Sequence, residues 1–318
     1  MSTFQTVILK NEHLELTLLP EAGCHWPSLR VPCRGEWIDL LAPVENYASI
    51  LTAPSSLGSY IMAPWANRLP EGRFTFADQE HQVRINFPDQ TAIHGDLRKR
   101  AWKMTNVTER SFKAELDSAE YPDFNYPFAL HFEYGVDLQG DTLTQSFWIT
   151  NRGSAAAPAG FGYHPFFRRR LFPGRQDPRL VLPAQKIFPA KDHIPTGPAL
   201  AVTGRTDLRT PKPLGTPGLD DCFTDLSSHE VRLFYPEDGL EVLFELGSIF
   251  SNVVVYIPTK PDGSGADFFA IEPQTHVTGA LVLAAQGWKN TGLKILSPQE
   301  RWGGELKIRV KNAHESAD

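Results

Sequence analysis

The chain has 318 residues, enough for one large domain or two ordinary ones, and its 41% hydrophobic and 21% charged residues exclude a disordered or fibrous composition. A net charge of -6 speaks against nucleic-acid binding, which needs a basic surface, and gives no reason to expect an anionic membrane partner. No apolar run approaches the roughly 20 residues of a membrane span, and Met1 to Lys10 has no leader-like pattern of positive charge followed by an apolar stretch.

In chain order, the dominant signal is period-two alternation. Leu14, Leu16 and Leu18 begin it, and Val83, Ile85 and Phe87 alternate with Gln82, Arg84 and Asn86. The longest run takes Phe128, Leu130, Phe132, Tyr134, Val136 and Leu138 against Ala129, His131, Glu133, Gly135 and Asp137. Residues 171 to 218 are rich in Pro and Gly, yet Leu180-Val181-Leu182 and Ile187-Phe188 supply apolar anchors, so they read as long loops packed on the body of the protein. Leu240, Val242, Phe244 and Leu246 alternate again, as do Leu306, Ile308 and Val310. Each such segment predicts a strand with one buried and one wet face. Val253 to Ile257 and Phe268 to Ile271 are continuous apolar runs, which suit strands covered on both faces. Lys260 to Gly265 predicts a turn between them, and Asn312 to Asp318 a frayed tail. Helical patterns are scarce, which argues against parallel βαβ units, and neither a linker nor a repeat is visible. The expectation is an all-β fold. Cys24, Cys33 and Cys222 are odd in number and lack metal spacing, so a reducing, cytoplasmic compartment is expected.

Five segments carry candidate chemistry. They are Asn67-Arg68-Leu69-Pro70-Glu71-Gly72-Arg73-Phe74; Ile93-His94-Gly95; Gly160-Phe161-Gly162-Tyr163-His164-Pro165-Phe166-Phe167; Leu219-Asp220-Asp221-Cys222-Phe223; and Ala270-Ile271-Glu272-Pro273-Gln274-Thr275. His164 and Glu272 each precede a proline, which pushes a residue toward extended geometry and favours strand ends. Both titratable groups are therefore expected at strand termini on stiff backbone, a placement that suits an acid–base pair. Gly160 and Gly162 leave room beside His164. Glu272 follows an apolar strand, where desolvation raises a carboxyl toward the range of a general base.

Each segment alone has a plainer reading. Arg68 can pair with a surface acid, Asp220 and Asp221 can form an Asx turn after Pro217-Gly218, and His94-Gly95 can be a turn with an exposed imidazole. Trp65, Trp102, Trp288 and Trp302 read as core, and Arg168-Arg169-Arg170 as a solvated charge run.

Taken in order, the segments from Asn67 to about Leu281 resemble the aldose 1-epimerase (galactose mutarotase) family, with its Asn-Arg, His-Gly, His-Pro-aromatic-Phe, Asp and Glu-Pro motifs. The resemblance implies one large antiparallel β-sandwich domain over residues 1–318, of the galactose mutarotase-like supersandwich kind, with a sugar in a cleft on one face. It implies Glu272 as general base on the C1 hydroxyl and His164 as general acid on the ring oxygen. It further implies that His94, Arg68 and Asp220 hold sugar hydroxyls, with Asn67 and Gln274 assisting. A small-molecule sugar is the only partner implied, to a monomer or homodimer, and no metal or organic cofactor is called for. Phe166 stands where the family usually has Tyr, and Arg168-Arg169-Arg170 where it often has Asn-Leu. Arginines bind phosphate bidentately, so a hexose-6-phosphate 1-epimerase is an alternative. A non-catalytic carbohydrate-binding or sugar-sensing sandwich is another, and a glycoside hydrolase using Glu272 with Asp220 is a weaker one.

Overall fold

The alternating segments become strands whose apolar face is withdrawn from water. In a computed structural model, which describes residues 4–42, 44, 46–53, 57–215 and 218–312, two large sheets stack face to face. One has nine strands, in the spatial order Lys103–Val107, Ser111–Asp117, Leu130–Gln139, Thr142–Asn151, Arg301–Asn312, Leu240–Leu246, Glu230–Tyr235, Arg179–Val181, Lys212–Pro213. The other has eight, running Leu200–Ala201, Ala184–Ile187, Leu219–Leu226, Asn252–Ile257, Phe268–Gln274, Gly162–Tyr163, Ile61–Met62, with Phe166–Arg168 also paired to Phe268–Gln274. A four-stranded sheet from Val7–Lys10 to Glu36–Asp39 adds Leu14, Leu16 and Leu18 to the same core. Every ladder within these sheets is antiparallel. The expected all-β antiparallel sandwich is therefore the observed fold.

Successive side chains on a strand point to opposite faces, and that parity organises the molecule. Phe132, Phe147 and Phe244 of the nine-stranded sheet meet Phe167, Val253, Val255, Phe269 and Ile271 of the eight-stranded one, with Phe161 just before its strand Gly162–Tyr163, in a single core. Phe147 lies 4.7 Å from Phe161 and Phe167 5.7 Å from Phe244, ring centre to ring centre. The opposite parity of the eight-stranded sheet is apolar too. Val254 and Cys222 pack under a short helix, Ala280–Ala285, while Ala270, Tyr256 and Phe268 pack with Tyr60, Met62 and Phe166. This is why 253–257 and 268–271 are continuous apolar runs.

Four expectations need correction. Val83 to Phe87 is not a strand; the ladder there ends at Gln82, and Ile85 is exposed. Side-chain amides tie it in: Asn125 accepts from the Arg84 N–H and donates to the Arg84 carbonyl, and the Asn86 side chain does the same for the backbone of Ile93. Glu272 does not sit at a strand terminus but inside Phe268–Gln274. Pro273 is tolerated there because, on that edge, the neighbouring strands Phe166–Arg168 and Gly162–Tyr163 reach only residues 268–270 and 274. The missing N–H thus faces a break in the ladder. Asp220 and Asp221 are not an Asx turn but lie in the strand Leu219–Leu226, paired with Tyr256 and Val255. Residues 171–218 are more than loops, since their short strands extend both sheets. The turn at 260–265 is present, closed by bonds between Lys260 and Ser264 and between Gly263 and Lys260. The expected frayed tail, past Asn312, lies outside the described residues.

Candidate active site

The outward parity of the eight-stranded sheet supplies the floor of a cavity of about 830 Å³, within the usual range for small-ligand sites. Asp220 and Tyr256 form one cross-strand pair on that face, and Val254 and Glu272 the next. Asp220 and Glu272 therefore point the same way from strands separated by one intervening strand, on the order of 10 Å apart at the backbone, with room for a small ring between their side chains. His164 comes from the break between Gly162–Tyr163 and Phe166–Arg168, where its N–H donates to the Tyr60 carbonyl at 3.0 Å. Its Nε2 lies 3.1 Å from Glu272 Oε1, and both side chains are buried.

The other wall descends from residues 60–68 and 91–98. Asn67 and His94 both have positive φ, 58° and 62°, a region that Asn and His enter more readily than most residues. The two bind reciprocally: the His94 N–H donates to the Asn67 carbonyl at 3.0 Å, and the Asn67 N–H donates to His94 Nδ1 at 3.1 Å. Nδ1 is thus an acceptor, so the proton of the neutral ring is on Nε2. Gly95, at φ 66°, has no alternative, because a Cβ there would lie 1.8 Å from the Ala63 carbonyl oxygen. Arg68 lines the cavity and also pairs with Asp89 at 2.8 Å, so its plainer reading is realised as well. Asn67 Oδ1 accepts from the Arg68 N–H.

The electrostatics follow from burial. Desolvation, reinforced by Asp220, raises the Glu272 carboxyl well above its ordinary value. Desolvation, reinforced by the Arg98 cation, lowers His164 to about 3, and the same two causes lower His94 well below an ordinary imidazole. Both members of the Glu272–His164 contact are pushed toward their uncharged forms. Both shifts favour a pair that holds one proton, as carboxylic acid and imidazole or, after transfer across 3.1 Å, as carboxylate and imidazolium. Gln274 lies on the same face of the strand, and its Nε2 donates to Glu272 Oε2 at 3.1 Å, leaving Oε1 for the cavity side.

Of the residues expected from the sequence, Glu272, His164, His94, Arg68, Asp220 and Asn67 line this one cavity, and Gln274 supports Glu272 from behind. His94 is buried, contrary to its reading as an exposed turn residue. None of Arg168, Arg169 and Arg170 lines the cavity. Arg169 is buried and, with Arg170, pairs with Asp177, so the run is neither solvated throughout nor placed to take a phosphate here. Of the tryptophans, Trp65 and Trp102 are core; the aromatic lining is Tyr60, Phe87, Phe166, Tyr256 and Phe268.

Sequence reasoning missed the support. The Tyr60 ring packs 4.9 Å from His164 and 5.8 Å from His94, with the Arg98 guanidinium 5.6 Å from its centre. His25 packs against Tyr60 and binds the Leu57 carbonyl. His276 Nε2 accepts from the Ala66 N–H at 3.0 Å while its Nδ1 donates to the Val277 carbonyl, fixing the turn that presents Asn67 and Arg68. His276 stands four residues after Glu272, a proximity that could have flagged it; Tyr60 and His25 carry no sequence signal.

The sequence profile of the family described as aldose 1-epimerase matches residues 5–309. The uncharacterized protein YihR of Escherichia coli is 28% identical over 68% of this chain and 68% of its own length. Mouse galactose mutarotase is 25% identical over 67% of this chain and 63% of its own. The crystal structure of a galactose mutarotase-like protein from Clostridium acetobutylicum superposes with a TM-score of 0.82 at 19% identity, covering 98% of this chain and 96% of that one. That likeness speaks to the fold alone.

Proposed function

The chain belongs to the aldose 1-epimerase family, and from that premise we propose that it is a mutarotase, interconverting the α and β anomers of an uncharged aldose. One observation carries the reading: the carboxyl group of Glu272 and the imidazole of His164 meet at 3.1 Å, both buried, on the floor of one cavity large enough for a sugar. Opening a hemiacetal requires a proton removed from the C1 hydroxyl and another delivered to the ring oxygen. A buried pair that shares one proton meets that requirement without a net change of charge.

In the carboxylate–imidazolium form, Glu272 takes the proton of the C1 hydroxyl as the C1–O bond to the ring oxygen breaks. His164 gives its Nε2 proton to that oxygen. The aldehyde rotates about C1–C2, and the reverse transfers close the other anomer and restore the pair. Each positioned acid or base contributes on the order of 10²–10⁴ in rate. His94, neutral with its proton on Nε2, donates to a sugar hydroxyl, Arg68 donates to another, and Asp220 accepts; Asn67 and Gln274 hold Arg68 and Glu272 in place. Arg68 is the one Lys or Arg among the described lining residues, and it is already paired with Asp89, which favours a neutral sugar over a phosphorylated one. Three buried, unbridged cysteines fit a reducing cytoplasmic setting.

The test is polarimetry on freshly dissolved α anomers of a panel of aldoses. The wild-type protein is expected to speed the approach to anomeric equilibrium for at least one of them, and Glu272→Ala to match buffer. A wild-type protein no faster than buffer on every sugar sinks the proposal.

A further inference from the structure

A side chain that belongs to none of the five candidate segments also reaches the cavity. Ala190–Lys191 and Ile194–Pro195 pair as a small hairpin whose two-residue turn is Asp192-His193. Both turn residues have positive φ, 49° and 66°, as the mirror-image turns favoured by tight hairpins require. Gly is the usual occupant of the second position, and an imidazole, although it enters this region more readily than most side chains, is an uncommon choice there. Non-glycine residues in this region recur at functional sites, which justifies asking what the side chain does.

The hairpin is anchored over the site. Thr196 binds the Pro189 carbonyl through both its N–H and its hydroxyl, closing the base of the hairpin. A narrow crevice lined by Ala190, His193 and Pro195 of the hairpin and by Asp220, Cys222 and Val254 of the sheet runs between the two. His193 Nδ1 lies 2.9 Å from Asp220 Oδ2, and His193 lines the same cavity as Glu272 and His164. Its side chain is 43% exposed, against 25% for Asp220. With Nδ1 engaged by the carboxylate, Nε2 is the ring atom left to face the cavity.

We propose that His193 is a specificity-determining residue: its Nδ1 fixes the Asp220 carboxylate, and its Nε2 contacts a ring hydroxyl of the bound sugar, so that the two side chains read one edge of the ring. This rests on the mutarotase reading. Glu272 and His164 take the anomeric hydroxyl and the ring oxygen, and Asp220 stands across the floor from Glu272. The hydroxyl that His193 reads is therefore one carried away from the reacting atoms. The contact is made by a loop residue outside the strands that carry the acid and base, so it sets which aldose is accepted without touching the chemistry.

The experiment compares wild type with His193→Gly and His193→Asn, using the best aldose of the panel and its 2-, 3- and 4-deoxy analogues. Gly suits this turn position, so the first variant keeps the fold, and Asn tolerates positive φ while shortening the reach. For the parent sugar, KM is expected to rise about 3- to 10-fold in His193→Gly with kcat little changed, the scale of one hydrogen bond at a partly open site. Wild type is expected to pay a similar penalty for losing one particular hydroxyl, and that penalty is expected to vanish in His193→Gly while the others persist. Unchanged KM, or deoxy penalties identical in wild type and variant at every position, overturns the proposal. That result is distinct from failure of the mutarotase reading, in which wild type accelerates no sugar at all.

Discussion

Replacing Glu272 by Gln changes one atom and nothing in the packing, and it separates catalysis from stability. Gln retains the volume of the side chain and a carbonyl oxygen for the Gln274 Nε2–H, but it cannot take the proton of the C1 hydroxyl. Loss of one positioned base costs about 10²–10⁴ in kcat, or about 2.7–5.4 kcal/mol of barrier, with KM nearly unchanged because the hydroxyl-binding side chains stay in place. Stability moves the other way. The folded carboxyl binds its proton more tightly than the unfolded one, whose ordinary value is 4.5, because it is desolvated and faces Asp220. As pH rises above 4.5 the unfolded chain gives up its proton while the folded chain holds it to higher pH, so wild-type stability falls. Gln has no such penalty. The variant is therefore expected to be no more stable than wild type at acid pH and increasingly more stable as pH rises through neutrality. Polarimetry gives the rate, and urea midpoints at an acid and a neutral pH give the stability. A variant that keeps wild-type kcat refutes the assigned role, and one that gains nothing at neutral pH refutes the account of the buried carboxyl.

Three further outcomes follow from the same geometry. Because burial and the Arg98 cation lower His164 to about 3, kcat/KM is expected to show no acid limb near the ordinary imidazole value of about 6.5, and an acid limb centred there contradicts this. Gly160→Ala would bring a Cβ to 2.0 Å from His276 Cδ2; pushing His276 off the Ala66 N–H is expected to cost about 1–3 kcal/mol in urea denaturation and to raise KM through Arg68, and wild-type stability would count against that role of His276. Arg170→Ala removes a surface partner of Asp177 away from the cavity; the ratio of activities on a free hexose and its 6-phosphate is expected to stay unchanged, and a selective loss on the phosphate would restore the phosphate-site reading of the arginine run.

Much of the fold was legible because period two is a direct image of a half-buried strand: Leu130 to Gln139 and Leu240 to Leu246 appear where the alternation places them. It misled at Val83 to Phe87, where the amides of Asn86 and Asn125 replace a neighbouring strand, a contact from 41 residues away that no local pattern encodes. The candidate acid and base were legible through their prolines, although Glu272 proved to be mid-strand because the adjacent ladder is interrupted opposite Pro273. Illegible were the groups that tune the pair. Arg98, Tyr60 and His25 converge from three separate segments, and His193 reaches the cavity only because a hairpin folds back across the sheet.

The most direct measurement is a crystal structure of the protein with its preferred aldose bound. The C1 hydroxyl is expected within about 2.6–3.2 Å of a Glu272 carboxylate oxygen, and the ring oxygen at a similar distance from His164 Nε2. A sugar seated in the cavity with its anomeric carbon turned away from both side chains would contradict this.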